Sequence, residues 1–317
     1  MYSVRRHING MLFLSVSALC AASVWFHLQD EHPEPILETA RSAGRVGALP
    51  ASVQTAVLAA PTGPSAELLR RYNAGSDMRA FVRYALQHPE NGGYFYAVKV
   101  LQQCQESAVG VRADLLHAYA AGNDAHRAGK VAAASDRLHR RCAEFDFDDV
   151  AENRVRGLWK AGRDKDPLIQ ASVDYSNAFD ADYKNPAESA ARARALENIL
   201  KLGDPLLLDD LNLRLALHAD EGRKFFALGG RRFDLNSDTD VGAAIYLLPC
   251  AAGLACDETE FDMSARCAVG GSCVRSRFEH VEQSVENIPG AYARILAAYD
   301  AMRVAVAARD ARFFALR

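Results

Sequence analysis

The residues with the plainest chemistry are seven cysteines. Cys20 lies in an apolar run near the N-terminus. The other six are Cys104, Cys142, Cys250, Cys256, Cys267 and Cys273. A thiol can pair, bind a soft metal or act as a nucleophile, and the redox state of its compartment decides which. An even number in an oxidising compartment reads as disulfides. Cys104 and Cys142 each end an apparent helix. Joined, they would close a loop worth roughly 3–4 kcal/mol by chain entropy. The last four read C-x5-C-x10-C-x5-C, which leaves three pairings open. The preferred one is nested, Cys250–Cys273 with Cys256–Cys267, because it would clasp a short excursion between two helices. The rival is zinc on four thiolates, but the usual C-x2–4-C pairs are missing.

Other constellations match less of their templates. Asp234, Asn236, Asp238 and Asp240 alternate like a calcium loop, yet Thr239 stands where glycine is required and Ile245 where the bidentate Glu belongs. A solvated, helix-capping loop is the simpler reading. Asp257, Glu258, Glu260 and Asp262 form an acidic run that suits a cation or a basic partner, or plain solvation. His139-x2-Cys142 puts two ligand types one turn apart, but a disulfide at Cys142 removes one. His88, His117, His126, His218 and His280 share no motif. No Gly-x-Ser-x-Gly, His-Glu-x2-His, P-loop or dinucleotide fingerprint occurs. Paired carboxylates in an all-α fold would suit a hydrolase or lyase, and nothing pins such a pair. No catalytic residue, cofactor or metal site is assigned.

The elements that must position these groups are helices. The chain has 317 residues, of which 50% are hydrophobic and 24% charged. Alanine makes up nearly a fifth of it, which favours helix. A net charge of −3 carries no basic excess for nucleic acid. Arg5 and Arg6 precede residues 8–28, which hold no acid, Lys or Arg. Twenty-one helical residues span roughly 30 Å, about one bilayer core. Arginines before the run and Asp30, Glu31 and Glu34 after it keep the N-terminus in the cytoplasm. Residues 1–28 are thus a signal anchor or, if cut near Ala21–Ser23, a signal peptide. Residues 29–64 hold five of the eleven prolines and no aromatic residue, so they read as a flexible linker.

Residues 65–317 read as an all-α domain with a Cys-rich insert at 250–273. Gly122, Gly162 and Gly203 each end an apolar-periodic run and lie 40 and 41 residues apart. Glycine suits the left-handed residue after a helix. Asp166–Pro167, Asn185–Pro186 and Asp204–Pro205 put Asx at N-cap and Pro at N1, 19 residues apart. The expectation is stacked helix–turn–helix units of about 40 residues, solenoid-like, each burying its apolar face against the next. Tyr292, Ile295, Leu296, Tyr299, Met302 and Val306 supply the closing helix.

The 40-residue period resembles Sel1-like and tetratricopeptide arrays, without their signature residues, so no binding residue carries over. The cluster Pro249–Cys256 with Cys267–Cys273, rich in Gly253, Gly270 and Gly271, resembles the C-terminal segment of exported proteobacterial proteins. That resemblance implies export and disulfides and no chemistry. The resulting expectation is a binding or scaffold module at the inner membrane with its C-terminal domain in the periplasm and a protein or peptide partner. A periplasmic enzyme or a secreted effector is the alternative.

Overall fold

Three helices start at Asx–Pro pairs, as the cap chemistry predicts. Asp166 accepts the N–H groups of Leu168 and Ile169 at 2.9 and 3.1 Å. Asn185 accepts that of Ala187 at 3.1 Å, and Asp204 that of Leu207 at 2.9 Å. Each bond satisfies an amide that the helix itself leaves unpaired. The computed structural model describes residues 63–75, 77–110, 124–179, 185–220, 223–235, 237–270 and 272–315. The segment 8–28, nearly all of the linker 29–64, and Gly122 fall outside them.

The described residues form twelve α-helices and one small sheet. In order these are α1 (Ala66–Ala74), α2 (Met78–Ala85), α3 (Gly93–Gly110), α4 (Ala125–Cys142), α5 (Glu152–Gly162), α6 (Pro167–Ala178), α7 (Pro186–Leu202) and α8 (Pro205–Leu211). The strands β1 (Leu217–Asp220), β2 (Arg223–Leu228) and β3 (Arg231–Asp234) follow. Then come α9 (Thr239–Ala251), α10 (Phe261–Gly270), α11 (Arg277–Ser284) and α12 (Ala291–Ala307). Among the described residues no helix is long and apolar enough to cross a membrane.

One continuous core runs from Leu68 and Phe95 through Tyr175 and Leu207 to Phe226, Ile295, Met302 and Phe314. Each such side chain contributes roughly 1.5–3 kcal/mol by leaving water. A smaller core joins Val131, Ala134 and Leu138 of α4 to Phe261, Cys267 and Ala268 of α10.

Two pairs of chain neighbours pack together, α2 on α3 and α6 on α7. Other contacts close the chain on itself. Helix α4 lies on α10 and α9 on α12. Arg137 donates to the Glu258 carbonyl, 121 positions away. Of the expected left-handed glycines, Gly203 conforms, with φ 62° and its N–H on the Ile199 carbonyl. Gly162 does not have positive φ. It ends α5 where a Cβ would stand 2.5 Å from Ile169 Cδ1, so close approach explains that glycine.

The antiparallel sheet, in order β1–β2–β3, was not expected from the helical pattern. Gly229 and Gly230, with φ 57° and 76°, make the tight turn between β2 and β3. Both residues need positive φ there, which only glycine adopts without strain. Phe226 pairs with Leu217 and Phe233 and enters the core.

Cys104 and Cys142 are bonded, as expected, with Cα atoms 5.5 Å apart. The nested pairing is corrected. Cys250 bonds Cys256 and Cys267 bonds Cys273, each across a separation of 6 residues. Cys250 sits in the last turn of α9 and Cys267 in that of α10. In both places the chain turns back just past the helix and brings the next cysteine to it. Helix α10, seated on α4, holds Cys267 in a core that Cys256 does not share.

Candidate functional site

The densest polar centre lies beneath the stapled segment. Ser276 caps α11 by accepting the Glu279 N–H at 3.2 Å. That start places Arg277 at the first helical position, where its side chain is 1% exposed. Arg277 Nε donates to Glu260 Oε2 at 2.9 Å, and Nη2 donates to the other Glu260 oxygen. Nη1 donates to Asp209 at 2.7 Å and to the Tyr246 carbonyl at 3.0 Å. The guanidinium also lies 4.5 Å from the centre of the Tyr246 ring. Burial opposes its charge, but Asp209 and Glu260 outweigh burial and raise its pKa. Burial pushes Glu260 up to about 7, and its bonds to Arg277 restrain the rise.

Beside this centre the Tyr246 hydroxyl donates to Asp262 at 2.8 Å, and Arg266 Nε donates to the same carboxylate at 2.8 Å. Burial works against the Asp262 charge, but Arg266 wins and holds its pKa below the ordinary value. Burial raises the Tyr246 hydroxyl. His280 meets the Tyr246 ring edge-on at 6.2 Å, and its Nδ1 stands 3.2 Å from Ser272 Oγ. Burial lowers the His280 pKa, so the imidazole is neutral at neutral pH.

Two surface depressions flank the fold. Helices α3 and α8 wall a cleft of about 250 Å³ lined by Lys99, Gln102, Asp209, Asp210 and Asn212. Lys99 pairs with Asp210, and Asp209 is already held by Arg277. Asn212 adopts φ 44° at its edge. Helices α6 and α7 form an open groove of about 620 Å³. Its floor is Ala178, Ala191 and Ala195, and its rim is Asp174, Asn177, Glu188, Arg194 and Asn198. Small residues keep the two helices close and leave the groove shallow, while both charge signs line the rim.

The six cysteines are consumed as three disulfides, so none serves as a thiolate and His139 has no thiol partner at Cys142. The acidic run meets cations from the chain itself: Glu260 takes Arg277 and Asp262 takes Arg266. Asp257 instead accepts the Thr259 N–H at 2.8 Å. In the calcium-like loop Asn236 lies outside the described residues. Asp234 accepts the Ser237 N–H, Asp238 accepts that of Asp234, and Asp240 pairs with Arg294. These bonds tie the loop to itself and α9 to Arg294, and Asp238, at the N-cap of α9, makes no side-chain cap bond. Among the described residues no three His, Cys, Asp or Glu side chains gather as a metal cluster.

Sequence reasoning missed Arg277, Tyr246, Asp209 and the Lys99–Asp210 pair. Their helical positions carry no local sign of burial. The one usable signal was the acidic run, which demands counter-charge from somewhere. Compared with known proteins, the chain matches no family model, no curated protein and no solved structure.

Proposed function

We propose that this chain is an exported, membrane-tethered helical binding module whose groove between α6 and α7 receives a polypeptide segment. The groove carries the reading: an alanine floor beneath a rim of carboxylates, carboxamides and Arg194 suits an extended peptide backbone more than an apolar small molecule. Paired helices of this kind, stacked in part as the 40-residue spacing suggests, commonly offer such surfaces. Three disulfides support residence in an oxidising compartment. The apolar segment 8–28 supports a tether at the inner membrane with the rest of the chain in the periplasm.

The test has two arms. A reporter fused after residue 317 that works only in the periplasm should be active, and activity of a cytoplasm-only reporter refutes export. A photo-crosslinker at Ala191 should give a discrete adduct in intact envelopes, lost on adding Arg194→Glu. One at the exposed Val304 should not. Equal labelling from both positions refutes the groove.

One observation favours a second reading, a hydrolase. Ser272 Oγ beside a neutral His280 imidazole is a hydroxyl next to a base. A fluorophosphonate should then label Ser272 and spare His280→Gln. No labelling of the native chain removes this reading.

A further inference from the structure

Phe147 is 83% exposed, more than any other large apolar side chain described. A single exposed apolar residue is ordinary. What distinguishes this one is a turn built to hold it out. Asp146 accepts the N–H of Asp149 at 2.8 Å, and Asp149 accepts that of Asp146 at 3.4 Å. Arg79 pairs with Asp149 at 3.1 Å and donates to the Glu144 carbonyl at 2.7 Å. Phe145 and Val150 anchor the turn in the core on either side. The ring therefore stands on a fixed support, and little conformational freedom remains to be lost when it binds. Glu144, Asp146 and Asp148 surround it, all exposed.

A complementary surface offers cations beside an aromatic ring. Strand β3 is an edge of the sheet and carries exposed Arg231, with exposed Lys224 of β2 on the same face of the sheet. Arg231 lies 5.2 Å from the half-buried Phe233 ring. An exposed aromatic ring gains most on such cation-bearing rings, and the flanking charges match.

We propose that the chain associates with itself head to tail, the Phe147 turn of one copy seating on the Arg231–Phe233 face of the next. This contact is independent of the α6–α7 groove. Because the two patches differ, the contact is heterologous and builds rings or open chains rather than a two-fold dimer. Charge draws the patches together and the ring supplies the anchor.

The full-length chain in mild detergent should grow in sedimentation velocity runs as its concentration rises. The growth should weaken in high salt. Phe147→Ala and Arg231→Glu should each weaken association at least tenfold with unchanged circular dichroism. If Arg231→Glu disturbs the sheet, Lys224→Glu serves as the second basic-face variant. An equimolar mixture of Phe147→Ala and Arg231→Glu retains one working pair of patches, so it should stop at the dimer. A chain that stays monomeric at every concentration overturns the proposal. So does association that persists undiminished in both single variants.

Discussion

Two stretches of the described fold, α1 to α8 and Cys250 to Ser284, are held by different means. In α1 to α8 the apolar faces are long, and the buried polar groups mostly finish helix ends. Asp204, wholly buried at its cap, takes Leu207 N–H, the Tyr96 hydroxyl and the Ser65 hydroxyl. In the stretch from Cys250 to Ser284 the difference is apolar burial: α11, with 8 residues, buries Val281 alone among its apolar side chains, where α8, with 7, buries Pro205, Leu206, Leu207, Leu208 and Leu211. A helix with so little buried apolar surface is not secure alone. Two disulfides and the Arg277–Glu260–Asp209 centre make up the difference. The lesson is that ionic and covalent ties concentrate where hydrophobic area runs short.

The sharpest way to break this comparison is Arg277→Met. It leaves Glu260 and Asp209 without their cation and should cost about 3–5 kcal/mol in urea unfolding. Adding Glu260→Leu should recover part of that loss. A single variant as stable as the parent would mean the ionic centre contributes nothing.

Removing Cys104–Cys142, with its separation of 38 residues, should cost about 4 kcal/mol by chain entropy. Removing either separation-6 bond should cost about 2 kcal/mol. A short bond that costs more than the long one would show that it acts by holding the polar centre in place. Paired alanine variants measured by reversible denaturation decide this.

Two buried titratable groups, His218 in the sheet and Glu260 in the stapled stretch, should respond to acid with opposite signs. His218 is 5% exposed, stacked on Phe225, with Nε2 on the Phe314 carbonyl at 3.0 Å. Burial lowers its pKa to about 4. The unfolded chain therefore binds the extra proton between pH 6.5 and 4, and stability falls there on acidification, by up to about 3 kcal/mol. Glu260 runs the other way. Its raised value favours the protonated form in the fold, so its contribution is present below the unfolded value and lost as pH rises through about 7. The slopes offset each other in the parent. His218→Phe should leave stability falling from pH 4.5 to 7, and Glu260→Gln should leave it rising. Parallel profiles for both variants would refute the assignment.

Gly203→Ala should cost about 1 kcal/mol, since φ 62° strains any side chain. At the bottom of the scale, Arg156→Ala on exposed α5 breaks only the pair with Glu152 and should change stability by less than about 0.5 kcal/mol.

The sequence made the α-helical class legible through three Asx–Pro caps, whose chemistry is local and complete within four residues. Cys104–Cys142 was legible from the even count of cysteines after Cys20, although only Cys142 closes a helix and Cys104 lies inside α3. The short pairs were not. C-x5-C is symmetric in either reading, and only the placement of α10 on α4 separates them. The sheet announced itself in one place, Gly229–Gly230 between Phe225–Phe226 and Phe233, a hairpin signal outweighed by helical neighbours. The 40-residue spacing pointed to stacking and was silent on the closure of α4 onto α10. The groove on α6 and α7 was illegible because alanine reads as a helix former wherever it falls. Arg277 was equally so, since an arginine on a short polar helix gives no sign that it is 1% exposed.

The Cys104–Cys142 bond has a consequence for how this protein endures a protease. Any single cut between those two positions leaves both fragments covalently joined. Such a molecule would run at full mass without reductant and separate into two bands only with it. Damage in that stretch would thus be tolerated in place rather than shed.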